Sequence, residues 1–281
     1  MRRLQTHCDW YGCLVSILMA LAIATSAGCS LLSSKSGPQA TGAPGTTLRI
    51  GIATNYPPLA YKEDGKLTGA EVDFARMLAH DLDVKIELVE TPWKDLIPDL
   101  VDGKIDVVMS GLSITAERQK LVSFADSYGA IGQMALVRVQ DYDRLRDEGA
   151  LNSPGTRIGA VDGTTGEQYV RSQDPLAQIT TFQSVDDGVA ALRNGRIDVF
   201  VHDAPAIWRV TSPRGEIERE LMSRYIPLTN EKLAWAVRKQ DDQLLRRLNA
   251  TLAKWKADGQ LEVVGARWVP VRKHAVTPAA N

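Results

Sequence analysis

Arg118 and Asp203 are the residues whose chemistry can be read most directly from their neighbours. Arg118 follows Ser110-Gly111-Leu112-Ser113-Ile114-Thr115-Ala116-Glu117, in which Thr115 can cap a helix that carries the arginine in its first turn. A cation at that point opposes the helix dipole. It is better explained if it receives an anion, and its planar fork suits a carboxylate, although the segment by itself also fits a solvated surface arginine. Asp203 follows an apolar run and precedes Ala204-Pro205, where it can cap a helix or offer a carboxylate to an ammonium group. Together the two would read both ends of a zwitterion. The stretch Asp162-Gly163-Thr164-Thr165-Gly166-Glu167 lies between a strand and a helix, so its backbone N–H groups can seat an anion, as at other helix starts. Tyr56 in Asn55-Tyr56-Pro57-Pro58 and Trp93 in Thr91-Pro92-Trp93 stand just beyond strand ends. Each either plugs the core or walls a pocket.

Catalytic patterns are scarce. The four histidines are His7, His80, His202 and His274, and no pair has metal-ligand spacing. There is no Gly-x-Ser-x-Gly elbow, phosphate-cradling Gly-x-x-x-x-Gly-Lys loop or dinucleotide fingerprint. No metal or cofactor is expected. Asp73, Asp106 and Asp198 suit capping or pairing. With 44% hydrophobic and 24% charged residues and a net charge of -1, the chain is globular in composition and lacks a charge excess for nucleic acid.

The elements that must position these residues occur twice. Arg49-Ile50-Gly51-Ile52-Ala53-Thr54-Asn55-Tyr56 is echoed by Arg157-Ile158-Gly159-Ala160-Val161-Asp162-Gly163-Thr164. Gly103-Lys104-Ile105-Asp106-Val107-Val108-Met109-Ser110 is echoed by Gly195-Arg196-Ile197-Asp198-Val199-Phe200-Val201-His202. The pattern predicts strands over 48–53, 84–89, 105–109, 157–161, 179–182 and 197–201, with helices over 71–81, 93–101, 166–172 and 185–193. Such alternation implies parallel-rich sheets flanked by helices, an α/β fold. Open sheets of this kind bind ligands beyond the carboxyl ends of their strands. Two lobes facing each other would set two polar strand-end clusters across one cleft. Further strands over 133–139 and 233–238 supply crossings near 129–134 and 230–234, and a helix over 241–257 ends at Gly259, before a shorter one toward Trp268. The expected division is lobe 1 over 48–132 and 230–270, lobe 2 over 133–229 and a disordered tail over 271–281.

The N-terminus is of a different kind. Arg2 and Arg3 precede an apolar run over 14–27, shorter than the roughly 20 residues that cross a bilayer, so 1–28 reads as a signal peptide. No later segment reaches spanning length. Cys8 and Cys13 fall inside the signal, which leaves Cys29 alone and excludes an intrachain disulfide in the mature chain. A lone cysteine after Ala27-Gly28 resembles a lipoprotein processing site, although Ser26 stands where leucine is usual. The alternative is ordinary signal-peptidase cleavage. The segment 29–47, rich in Ser, Gly, Pro, Ala and Thr, reads as a flexible tether.

From about Leu48 to Trp268 the ordered motifs resemble the bacterial extracytoplasmic solute-binding proteins (family 3) that serve polar amino-acid ABC importers. The landmarks are Tyr56-Pro57-Pro58, Gly69 to Asp73, Trp93, Gly103-Lys104-Ile105-Asp106, Ser113-Ile114-Thr115 with Arg118, Gly163-Thr164-Thr165 with Glu167, Gly195-Arg196-Ile197-Asp198 with Asp203, and Lys256-Ala257-Asp258-Gly259. The resemblance implies a two-lobe type II periplasmic-binding-protein fold. It implies that Arg118 clamps an α-carboxylate with Ser113 and the backbone at Thr165, that Asp203 and Ser110 take the α-amino group, and that Tyr56 and Trp93 sandwich the side chain, with Gly111, Gly163 and Thr164 beside them. Ala53 and Gly111 stand where relatives place an acidic residue and a serine, and Ala70 replaces a common Phe. These departures favour an uncharged amino acid. The implied partners are a free amino acid, an ABC permease with its ATPase and, through lipid on Cys29, the membrane, with the protein acting as an extracytoplasmic monomer. The rival readings are a cyclohexadienyl dehydratase on the same scaffold, which needs a cleft acid such as Glu71 or Glu167, and a sensor module, which would need an output segment.

Overall fold

A computed structural model describes residues 40–145, 149, 153–173, 178–211, 220–223 and 227–268. The signal segment, Cys29, the tether up to residue 39 and the tail over 271–281 lie outside the described residues. The chain runs β1 (Thr47–Ile52), β2 (Asn55–Tyr56), β3 (Ala60–Glu63), β4 (Lys66–Thr68), α1 (Ala70–Leu82), β5 (Lys85–Glu90), a 3-10 turn (Trp93–Asp95), α2 (Leu96–Val101), β6 (Val107–Val108), α3 (Ala116–Leu121) and β7 (Val122–Phe124). It continues through β8 (Gly129–Ile131), β9 (Gln133–Arg138), α4 (Tyr142–Leu145), β10 (Arg157–Val161), α5 (Thr165–Gln173), β11 (Gln178–Phe182), α6 (Val185–Arg193), β12 (Val199–Asp203), α7 (Ala204–Thr211) and β13 (Leu221–Ser223). The last elements are β14 (Glu231–Leu233), β15 (Ala236–Arg238), α8 (Asp242–Ala257) and α9 (Gln260–Trp268).

The duplicated sequence builds duplicated sheets. One is ordered β5-β1-β6-β15-β7 and the other β11-β10-β12-β9-β13. In both, the first three strands are parallel and the last two join antiparallel. Helices cover the sheets, so central strands are buried on both faces and read as continuous apolar runs. All five residues of β12 are buried.

Each repeat also carries the same ionic bracket at its strand starts. Asp106, just before β6, receives Arg49 N–H (3.0 Å), Nε (3.0 Å) and Nη2 (2.7 Å) and Arg238 Nη2 (3.0 Å). Asp198, just before β12, receives Arg157 N–H (3.1 Å), Nε (3.0 Å) and Nη2 (2.8 Å) and Arg138 Nη2 (3.1 Å). Hydrogen bonding from Arg157 above all holds the Asp198 carboxyl at about 2. Of the two roles expected for them, capping or pairing, both aspartates take pairing, at the strand starts of their sheets.

Between the sheets, β8 and β14 pair antiparallel and carry the chain across. The expected single strand over 233–238 is thus two strands, β14 and β15, separated at Ala234-Trp235. The expected helix over 93–101 begins as a 3-10 turn after Pro92. The short meander β2-β3-β4 and strands β7 and β13 had no counterpart in the sequence reading, since three or four residues are too few to show a period. On α8, Leu244, Leu248, Leu252 and Trp255 are buried, and Trp255 stacks on Phe74 of α1 with ring centroids 6.0 Å apart. No helix among the described residues is long and apolar enough to cross a membrane.

Candidate functional site

Arg118 is placed by a local device. Thr115 Oγ1 accepts the Arg118 N–H at 3.2 Å, which caps α3 and points the start of the helix at the cleft. The side chain is only 7% exposed, which rules out the solvated reading. Nη1 donates to the Ser113 carbonyl at 2.8 Å, Nη2 reaches the Gly163 carbonyl of the other lobe at 3.2 Å, and the guanidinium lies 5.4 Å from the Trp93 ring centroid. Burial lowers its pKa to about 10, so it remains a cation at neutral pH. Among the described residues no carboxylate comes within ion-pair distance. A buried cation hydrogen-bonded to neutral carbonyls, with the Glu231 carboxylate acting on it only from beyond ion-pair distance, is a seat for an anion.

Asp203 ends β12 in the other lobe, opposite Gln133 of β9. It accepts hydrogen bonds from the Tyr56 hydroxyl, across the cleft, and from Gln133 Nε2. Burial pushes its carboxyl well above the usual range. A cation delivered beside it would restore the charge. Trp93 donates its indole N–H to the Gly163 carbonyl at 3.2 Å, and Asn55 Nδ2 reaches the Gln183 carbonyl at 3.3 Å. The lobes are therefore in contact across the cleft through Tyr56, Trp93, Asn55 and Arg118.

Of the expected site residues, Tyr56, Trp93, Gly111, Ser113, Arg118, Thr164, Thr165 and Asp203 line one cavity between the lobes. Gly163 borders it through its carbonyl. Its N–H is taken by Glu167 Oε2 (2.8 Å), and the Thr164 N–H by the Val161 carbonyl (3.3 Å). The expected N–H seat is accordingly reduced to Thr165, because Thr164 and Glu167 use the neighbouring groups to cap α5. Ser110 does not line the cavity: its hydroxyl accepts the Ala53 N–H at 3.0 Å. Ala53 also faces away, in a cluster with Leu96, Leu100 and Ile105.

Gly111 has φ +66°, and a Cβ there would lie 2.7 Å from both Leu59 Cδ1 and Tyr56 Cε1. Its N–H donates to Glu71 Oε1 at 2.7 Å, and Glu71, fully buried, also receives the Tyr128 hydroxyl and the Trp235 indole N–H (3.1 Å). Burial raises the Glu71 carboxyl above its usual value. Glu167 is held by the Gly163 N–H and by Arg171 Nε at 2.8 Å. Both glutamates nominated for proton transfer are engaged in holding backbone.

Several cavity residues escaped the sequence reading: Asn55, Val161, Ser184, Val185 and His202. Gln133 and Glu231 lie behind the lining, where Gln133 Nε2 approaches Asp203, Glu231 Oε1 (3.1 Å) and Thr165 Oγ1 (3.1 Å). Burial pushes Glu231 up, but the hydroxyls of Thr229, Ser113 and Thr165 and the Gln133 amide outweigh it and hold the carboxyl below its usual value. Gln133 had a faint signal, as the polar first residue of an apolar strand. Glu231 had only its position in the crossing.

Residues 48–271 match the model of the bacterial extracellular solute-binding proteins, family 3. The ABC transporter arginine-binding protein 1 of Escherichia coli (strain K12) is 29% identical over 228 residues, covering 79% of this chain and 90% of that protein. Among solved structures, a putative binding component of an ABC transporter from Wolinella succinogenes DSM 1740, complexed with lysine, superposes with TM-score 0.76 at 31% identity over 81% of this chain and 97% of the other. An ancestral amino-acid-binding protein, a precursor of cyclohexadienyl dehydratase, gives TM-score 0.72 at 35% identity over 79% and 95%.

Proposed function

The chain belongs to the bacterial extracellular solute-binding proteins of family 3, and on that premise we propose that it captures a free amino acid by its two charged ends and hands it to an ABC permease and ATPase. The observation that carries this reading is the pairing of Arg118, a buried cation without an ion pair, with Asp203, a buried carboxyl on the facing lobe. Arg118, Ser113 and the Thr165 N–H would take the α-carboxylate, Asp203 the α-ammonium, and Tyr56 and Trp93 the flanks of the side chain. The cavity lining holds no carboxylate besides Asp203, and Glu71 is locked beneath Gly111. An uncharged side chain fits that wall. A dehydratase reading gains nothing, since Glu71 and Glu167 are both committed to backbone.

Lobe 1 would comprise 48–132 and 230–270, lobe 2 133–229, with the crossing strands as the hinge. Calorimetry against the twenty amino acids, prephenate and arogenate tests the function. Amino acids should bind, whereas decarboxylated or N-acetylated analogues should not, and ligand should raise the thermal midpoint and compact the scattering profile. Binding confined to prephenate or arogenate would refute the transport reading.

The family is extracytoplasmic, and lipid on Cys29 with the polar tether behind it would hold this monomeric member at the membrane. Mass spectrometry of the native N-terminus should find a modified cysteine, and Cys29→Ser should release the protein in soluble form. Unmodified soluble chain from wild-type cells would exclude the anchor.

A further inference from the structure

We propose that His202 is a fixed hydrogen-bond donor in the cavity wall, and that it selects an amino acid with a carboxamide side chain. The inference rests on the amino-acid reading above and narrows it. His202 lies on β12, its ring in the cavity lining, 5.4 Å from the Tyr56 ring edge-on and stacked 6.0 Å from Phe200. Its Nδ1 is 2.7 Å from the Asp203 backbone N–H. An amide N–H can only donate, so Nδ1 must be the bare, accepting nitrogen. Burial lowers the ring's pKa to about 4, so at neutral pH the ring carries one proton, and that proton sits on Nε2. Among the described residues no acceptor is bonded to Nε2, and the ring is 5% exposed. A donor in the cavity lining without a protein partner is free to meet an acceptor from the ligand.

Another polar group of that wall can accept. Asn55 Nδ2 donates to the Gln183 carbonyl at 3.3 Å. Because a carbonyl only accepts, the amide is oriented by that bond and keeps Oδ1 as its remaining acceptor. The Ser184 hydroxyl is occupied in capping α6, donating to Asp187 Oδ2 at 2.7 Å and accepting the Asp187 N–H at 3.1 Å. Val161 and Val185 fill the rest. The wall thus offers the His202 N–H as a donor and, from Asn55, the amide oxygen and the second amide N–H, on an apolar ground. A carboxamide presents one acceptor oxygen and an N–H2 donor, and it matches. A side-chain carboxylate satisfies His202 but brings no donor for the Asn55 oxygen. An apolar chain leaves His202 unpaired, and a cation finds no carboxylate in the lining besides Asp203.

The test is calorimetry on the full chain with glutamine and asparagine, against methionine and leucine as near-isosteres and glutamate, aspartate and lysine as charged competitors. A carboxamide ligand should bind roughly tenfold or more tightly than its isostere. In His202→Phe, which keeps the stacked ring but removes both the Nε2 donor and the Nδ1 acceptor of the Asp203 N–H, overall affinity should fall and that ratio should collapse toward one. Ring ¹⁵N shifts of the wild-type protein should show Nε2 protonated and Nδ1 bare, and this readout stands even if the variant fails to fold. A ratio that survives in His202→Phe, a protonated Nδ1, or a tightest ligand without a side-chain acceptor would each overturn the proposal while leaving amino-acid capture intact. Failure to bind any amino acid would overturn both.

Discussion

Arg118→Ala should weaken amino-acid binding by roughly 30-fold to several thousand-fold, equivalent to about 2–5 kcal/mol. The cause is the charge left behind rather than a lost contact. With the guanidinium gone, the ligand carboxylate would enter a cavity where Ser113, Thr165 and Trp93 supply only neutral groups, and a desolvated anion without a counter-ion is costly. The protein without ligand should suffer little, since among the described residues the Arg118 guanidinium bonds to the carbonyls of Ser113 and Gly163 and lies over the Trp93 ring. Asp203→Asn should cost a similar amount at the ammonium end while keeping the size of the group that Tyr56 and Gln133 contact. Titration of both variants beside thermal melts separates the cases. An affinity within twofold of wild type in Arg118→Ala would remove the proposed site.

Gly111→Ala should lower both stability and affinity. At φ +66° a side chain costs on the order of 1–2 kcal/mol. The new Cβ would also sit 2.7 Å from Leu59 Cδ1 and Tyr56 Cε1, so the Tyr56 wall must move. Tyr56 is the lobe 1 partner of Asp203, and its displacement should cost about tenfold or more in affinity, beside a stability loss of about 1–3 kcal/mol from overpacking. Gly111→Ser should do the same rather than admit arginine or lysine. Denaturant titration and calorimetry measure the two losses. A Gly111→Ser protein of unchanged stability that gains affinity for lysine would show that the glycine sets ligand charge instead of making room for Tyr56.

Gly111 also marks a limit of the sequence reading. Its type alone suggests a missing polar group, whereas its backbone angle and the packed Tyr56 explain it. Ala53 is similar: the sequence suggests a bare spot in the pocket, and the residue instead fills a core cluster. Ser110 follows the same strand, yet its hydroxyl turns to the Ala53 N–H. In each case the residue number was within one or two positions of the cavity, and the side to which the chain turns was not written in the local pattern.

What the sequence determined by itself were features carried by local rules. Alternating apolar periods gave the strands and helices. The paired motifs implied matching lobes, realised in sheets of the same order and strand direction. Thr115 three residues before Arg118 identified the capped arginine, because capping acts within one helical turn. Asp106 and Asp198 were legible as carboxylates for capping or pairing, and the structure pairs both. Tertiary structure alone decided the polar lining. Tyr56 meets Asp203 across 147 positions of chain, and Gln133 meets Glu231 across 98. Glu71 is drawn into the core by Tyr128 and Trp235, 57 and 164 positions away. His202 acquires its tautomer from the neighbouring amide, but its place in the cavity wall depends on β12 packing beside β9 and β10. Such partners are chosen by how two folded lobes meet, where burial makes each polar group seek whichever donor or acceptor the opposing surface brings within reach.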